Sequence, residues 1–182
     1  MSSKDVRNML NNYEPLNEIE EKYKKQIISF INKHNNILGD KNTDGHITGS
    51  AWIVNQKRNK VLLHHHVVFD KWLQLGGHTE ENEDVKLAAL REAKEESGLT
   101  SLKFLKDKIF DIDIHKIPAG EKKQEHYHYD IRFILEGDES EKLKMTHESR
   151  DLKWINIYKI KRYSQEDSIL RMVEKTFRYI QI

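Results

Sequence analysis

The sequence predicts an α/β fold with an N-terminal helical extension, and three observations predict it. Two runs, 110–115 and 126–135, alternate apolar and polar residues with the period of two that marks a half-buried strand. Two other stretches carry apolar residues at helical spacing: Ile19, Tyr23, Ile27, Phe30 and Ile31, then Ile169, Leu170, Val173, Phe177 and Ile180. Between these regions a glycine pair, Gly76 and Gly77, opens a tight loop that leads into a helix over 84–97.

The length of 182 residues suits one domain with an extension, expected as 1–45 for the helical extension and linker and 46–182 for the domain. Pro15 divides a short first helix from a longer second one, at whose start proline is tolerated. The stripe on the second helix must pack on the domain or on a second copy of the chain, and the sequence leaves both open. Asn35, Asn36, Gly39, Asp40, Asn42, Asp44 and Gly45 make a turn-rich linker.

Residues 47–54 and 60–66 read as strands joined by a turn. The second strand ends in His64, His65 and His66. Successive strand side chains point to opposite faces, so all three cannot ligate one metal; a substrate-facing member fits better. Trp72, Leu73 and Leu75 lead into the glycine loop. Val85, Leu87, Ala88, Leu90 and Ala93 supply the apolar material of the helix that follows, and Gly98 stops it.

In the 126–135 run, Tyr127, Tyr129, Ile131, Phe133 and Leu135 share one face, and His126, His128, Asp130 and Arg132 the other. If this strand pairs with 110–115, His115 comes near His126 and His128. Three imidazoles with Asp130 can form a transition-metal site. They can equally contact substrate or make a polar sheet face. Residues 152–157 read as a last strand, with Glu148 in the loop before it. Ser164 caps a final helix with Glu166 and Asp167 in its first turn.

Composition excludes several classes. The 31 basic and 30 acidic residues balance, so no global charge draws the chain to nucleic acid or membrane. The absence of cysteine excludes a disulfide scaffold and thiol catalysis. No apolar run reaches the ~18 residues of a spanning helix, and the N-terminal residues lack a signal-peptide core, so a cytoplasmic protein is expected.

The charges on helix 84–97 carry the chemistry. Glu92, Glu95 and Glu96 stand at i, i+3 and i+4, on one helical face. Clustered carboxylates repel unless a cation answers them, and Mg²⁺ takes oxygen ligands of this kind. A solvated acidic face is the plainer reading of the triplet alone.

The surrounding spacing favours the metal reading. The run from Gly77 resembles the Nudix box, with Gly77, Glu83, Arg91, Glu92, Glu95, Glu96, Gly98 and Leu99 on its positions and Ala93 as a small variant of an aliphatic one. Asp113-Ile-His115-Lys-Ile-Pro118 and His126-Tyr-His128-Tyr-Asp130 resemble motifs of a bacterial Nudix subgroup of unassigned substrate. The resemblance implies an α/β/α sandwich around a mixed sheet. It also implies metal-dependent hydrolysis of a phosphoanhydride in a nucleoside diphosphate linked to another group. It makes Glu95 and Glu96 ligands of Mg²⁺, which Mn²⁺ can replace, with Glu92 a third ligand or the base. Glu83 becomes a further metal residue and Arg91 the partner of a box glutamate. Glu148 becomes the alternative base, and Gly77 the residue that lets the loop fold back over the helix start.

Substrate contacts are expected from Gly77, His115, His126 and His128, toward a small-molecule nucleotide or other diphosphate. The family's isomerases use a cysteine that this chain lacks, and its NADH and coenzyme A signatures are absent. Position 115 is His115 where ADP-ribose hydrolases carry proline. A homodimer is a further expectation. The competing function is a Nudix-fold binding or regulatory module without turnover, although such modules usually have degraded boxes.

Overall fold

Local signals start the two N-terminal helices. Ser2 and Asp5 form a reciprocal capping box at the start of α1 (Ser3–Asn11). Asn17 caps α2 (Glu18–Lys33), its side chain accepting the Glu20 N–H at 3.0 Å. The computed structural model describes residues 1–120 and 124–180; the side chain of Ile180, expected in the last apolar stripe, lies outside them.

After α2 come β1 (Gly45–Asn55), β2 (Lys60–His66), β3 (Lys71–Leu73), β4 (Leu75–His78), α3 (Val85–Ser97), β5 (Lys103–Phe104), β6 (Asp111–Ile117), β7 (His126–Gly137) and β8 (Ser149–Asn156). A 3₁₀ segment (Ile157–Arg162) leads to α4 (Asp167–Ile180). The strands form an eight-stranded sheet in the order β3-β2-β1-β7-β5, with β4 beside β1, β6 beside β7 and β8 beside β2. This is the α/β class that the sequence predicts.

The chain separates into two units. The first comprises Met1–Ser50, Gly77–Ala89 and Lys106–Phe133; the second comprises Ala51–Gly76, Leu90–Leu105 and Ile134–Ile182.

In the first unit, Ile27, Phe30 and Ile31 of α2 are buried, and Phe30 stacks on Tyr129 with ring centroids 4.1 Å apart. The chain's own sheet therefore covers the stripe that the sequence left open. Ile19, at the N-terminal end of that stripe, is 53 % exposed. The pairing of β6 with β7 sets Asp111 opposite Arg132, Asp113 opposite Asp130 and His115 opposite His128. The polar side of these strands is not the exposed face that alternation suggests: Asp111, Asp113, Asp130 and Arg132 are all buried. Arg132 bonds all three aspartates, and charge pairing is what makes such burial tolerable. Gly49 sits where β1 meets the start of α3; a Cβ there would lie 2.6 Å from the Val85 carbonyl oxygen.

In the second unit, β2 pairs along its length with β8, from Lys60 opposite Asn156 to His66 opposite Ser149, with a bulge between His65 and His66. Gly98 ends α3 with φ +71°, the left-handed cap read from sequence. Of the apolar residues expected on α3, Val85, Ala88 and Ala93 are buried, whereas Leu87, in the first unit's part of the helix, is 56 % exposed and Ala89 is buried instead. On α4 the buried line is Ile169, Met172 and Thr176, whose hydroxyl accepts the Trp52 indole N–H at 2.8 Å. That helix starts at Asp167; Ser164 accepts the Glu166 N–H at 3.4 Å, in the turn before it.

Candidate active site

Two clusters of titratable side chains stand out, one in each unit. In the second unit, helical spacing turns Glu92, Glu95 and Glu96 toward one another on α3, and Glu148 joins them from the residue before β8. Glu96 is buried. Its Oε2 accepts the Gly76 N–H at 2.8 Å, and its Oε1 has no hydrogen-bond donor among the described residues. Burial raises the Glu96 pKa to about 8, against the Gly76 bond and with help from the charges of Glu148, Glu92 and Glu95. Burial also raises Glu92, opposed by Arg91, whose Nη1 lies 2.9 Å from Glu92 Oε1 and 3.3 Å from Glu95 Oε2. The sequence-stated pairing of Arg91 with box glutamates is thus present in the geometry.

Alternation along β2 distributes the three consecutive histidines as expected. His64 lies on the face of Glu96, its Nδ1 3.7 Å from Glu96 Oε1 and 2.8 Å from Ser149 Oγ. Burial first, then His66 and His65, lower its pKa to about 4, so the ring is neutral at pH 7. His65 takes the other face and stacks on Trp72 at 5.3 Å. His66 accepts the Val68 N–H at 3.1 Å; burial lowers its pKa, opposed by Glu148.

Sequence reasoning missed Ser149, and it did not single out His64 from the three consecutive histidines or Gly76 from the glycine pair as parts of this site. The signal for His64 was its place in a strand beside a carboxylate cluster. Gly76 was read as half of a loop. Instead both glycines lie in β4, and Gly76, with φ +148°, turns its N–H onto Glu96. Of the backbone freedom expected of the glycine pair, Gly76 uses the positive φ. In the first unit, Glu83 accepts the Glu80 N–H at 2.8 Å and closes the turn before α3.

The second cluster, also in the first unit, is built of histidines. His115 and His128 face each other across the β6–β7 pair with ring centroids 5.3 Å apart, and His126 lies 5.2 Å from His128. The strand pairing that brings the three together was legible. The structure adds His46 from β1 and His78 from β4, 4.7 and 5.0 Å from His128. It removes Asp130, which accepts from Thr48, Ser50 and Arg132 at 2.9, 2.8 and 2.7 Å and so serves the arginine rather than the imidazoles.

Comparison with known proteins shows the family and the fold. The NUDIX domain family model matches residues 46–175. A protein of Lactococcus lactis subsp. cremoris named as a probable DHNTP pyrophosphohydrolase is 32 % identical over 126 residues, 68 % of this chain and 74 % of its own length. The crystal structure of a NUDIX-family hydrolase from Clostridium perfringens is 32 % identical, with TM-score 0.55 over 76 % of this chain and 99 % of that one. A C. elegans Ap4A hydrolase shares the fold at 18 % identity, with TM-score 0.60 over 74 % of this chain and 97 % of its own.

Proposed function

The chain belongs to the Nudix hydrolase family, and from that premise we propose that it is a metal-dependent pyrophosphohydrolase. Its substrate is a small molecule with a phosphoanhydride bond: a nucleoside diphosphate linked to another group, or a related polyphosphate. The observation that supports this most is Glu96, a buried carboxylate with one oxygen lacking a donor and three further carboxylates around it. Such an all-oxygen set fits a hard divalent cation, Mg²⁺ or Mn²⁺, better than a soft one.

Glu95, Glu96 and Glu92 would hold the cation, which when bound neutralises the phosphates and lowers the pKa of water. The protein's own groups do the rest. The Gly76 N–H fixes Glu96 Oε2, and Arg91 fixes Glu92 and Glu95. Neutral His64 adds no charge that would compete for Glu96. Because Arg91 engages Glu92, Glu148 is the better assigned base: it takes the proton of the water that attacks phosphorus, and one phosphate or pyrophosphate leaves. Glu83 is assigned to closing its turn. A binding module without turnover is disfavoured because every box glutamate is kept.

The relative's name directs the choice of substrates to test. Purified protein with Mg²⁺ or Mn²⁺ is presented with DHNTP, nucleoside triphosphates, dinucleoside polyphosphates and nucleotide sugars, and phosphate and pyrophosphate release are measured separately. Release from at least one is expected. Glu96→Gln should lower kcat by on the order of a thousandfold, equivalent to several kcal/mol of lost charge stabilisation. No release from any substrate, with Glu96→Gln binding nucleotide as the wild type does, overturns the enzymatic reading.

A further inference from the structure

The histidine cluster of the first unit is not used by the proposed chemistry, and its composition sets it apart. The box offers oxygens; this cluster offers imidazole nitrogens, which suit zinc, copper, iron and nickel rather than magnesium. One ring nitrogen each from His46, His78 and His128 lie within 4.8 Å of one another. A cation among three such atoms would be at most about 2.8 Å from each, and Zn–N bonds of about 2.0–2.1 Å need only small side-chain rotations. The three come from three strands, β1, β4 and β7, so the sheet itself holds the triangle.

His126 adds a separate observation. Its ring is 5.1 Å from His46 and 5.2 Å from His128. Its Nδ1 lies 2.8 Å from the Gln124 carbonyl oxygen, so Nδ1 carries a proton, and in the neutral ring Nε2 carries the lone pair. That Nε2 is buried and has no hydrogen-bond partner among the described residues; the same is true of His128 Nε2. A ring whose far nitrogen donates to a backbone carbonyl while the near one stays bare is the usual posture of a metal ligand. His78 is exposed, which gives an ion a way in.

We propose that His46, His78 and His128 bind one divalent transition-metal ion of the zinc class, with His126 available as a fourth ligand. This does not rest on the pyrophosphohydrolase reading, because its ligands are imidazoles that occupy none of the fixed positions of the box.

The test uses the full chain, stripped with EDTA and titrated with Zn²⁺, then with Co²⁺ as a spectroscopic probe. One equivalent of Zn²⁺ should bind tightly in the wild type and equally in Glu92→Gln/Glu96→Gln. Bound Co²⁺ should show the intense visible bands of a tetrahedral nitrogen site. His128→Ala and His78→Ala should each weaken binding by more than the roughly 10–100-fold that loss of an outer partner costs. His78 is exposed, so its replacement keeps the fold and the test stands even if the His128 variant does not. Loss of the tight site in the glutamate variant, unchanged binding in His78→Ala, or octahedral Co²⁺ spectra would each overturn the proposal.

Discussion

Asp111, Asp113 and Asp130 gather around Arg132 in one unit; Glu92, Glu95, Glu96 and Glu148 gather near Arg91 in the other. Both are crowds of carboxylates with an arginine, yet they reach opposite states. Arg132 is 2 % exposed and turns three nitrogens onto three aspartates at 2.7, 3.1 and 3.2 Å, using the planar fork that only guanidinium has. Burial disfavours its charge, but Asp113, Asp130 and Asp111 outweigh that and hold its pKa above the ordinary value. Arg91 instead shares its Nη1 between Glu92 and Glu95, while Glu96 stays buried with its pKa raised. The difference separates structure from function. The first cluster is completed by the chain itself, and the second is the one that a cation would complete under the proposed function.

The largest expected effect lies in the completed cluster. Arg132→Met leaves buried aspartates uncompensated and should cost about 3–5 kcal/mol. For a chain of this size that is a fall in Tm of about 6–20 °C, read by thermal unfolding. A change of only a degree or two would mean that the network is not what holds these strands, and the comparison would fail on this side.

A smaller effect, with a sign that depends on pH, belongs to the open cluster. The pKa of Glu96 rises from the ordinary 4.5 to about 8 on folding, so the metal-free folded state holds its proton more firmly than the unfolded chain does. The corresponding stability is full below pH 4.5, is lost as pH rises, and is gone above about 8. In EDTA, wild-type stability should therefore fall by a few kcal/mol relative to Glu96→Gln between pH 5 and pH 8. Mg²⁺ at pH 8 should restore it in the wild type and leave the variant unchanged. Parallel pH curves for the two proteins would show that Glu96 is not the strained group.

The same contrast explains what could be read in advance. Three of the box glutamates lie on one helix, and helical spacing alone brings Glu92, Glu95 and Glu96 together, so that cluster was visible in sequence. The pairing of His115 with His128 followed from two alternating strands. The arginine network did not follow, because Asp111, Asp113 and Arg132 look like the polar side of a half-buried sheet until the register is known. His46 and His78 were out of reach for a related reason. Each is an isolated histidine next to a glycine, and their approach to His128 depends on which strands neighbour one another, which local pattern does not encode. Leu87 counted among the apolar residues of the helix but is exposed, while small Ala89 is buried, because composition alone does not tell which side of a helix faces the core.

The smallest effect on stability is expected at Arg91, and it sharpens the comparison most. Its side chain is 28 % exposed, and its partner Glu95 is 58 % exposed, so water already screens the bridge. Arg91→Gln should cost at most about 1 kcal/mol, against the several expected for Arg132→Met. Its consequence should appear in turnover. Without Arg91, Glu92 and Glu95 lose the contacts that orient them, and kcat should drop by about ten- to a hundredfold, the usual cost of losing a group that orients metal ligands. A higher concentration of Mg²⁺ should recover part of that loss if orientation of the ligands is the cause. If Arg91→Gln destabilises the fold as much as Arg132→Met does, both clusters are structural and the carboxylates of α3 need no cation to complete them.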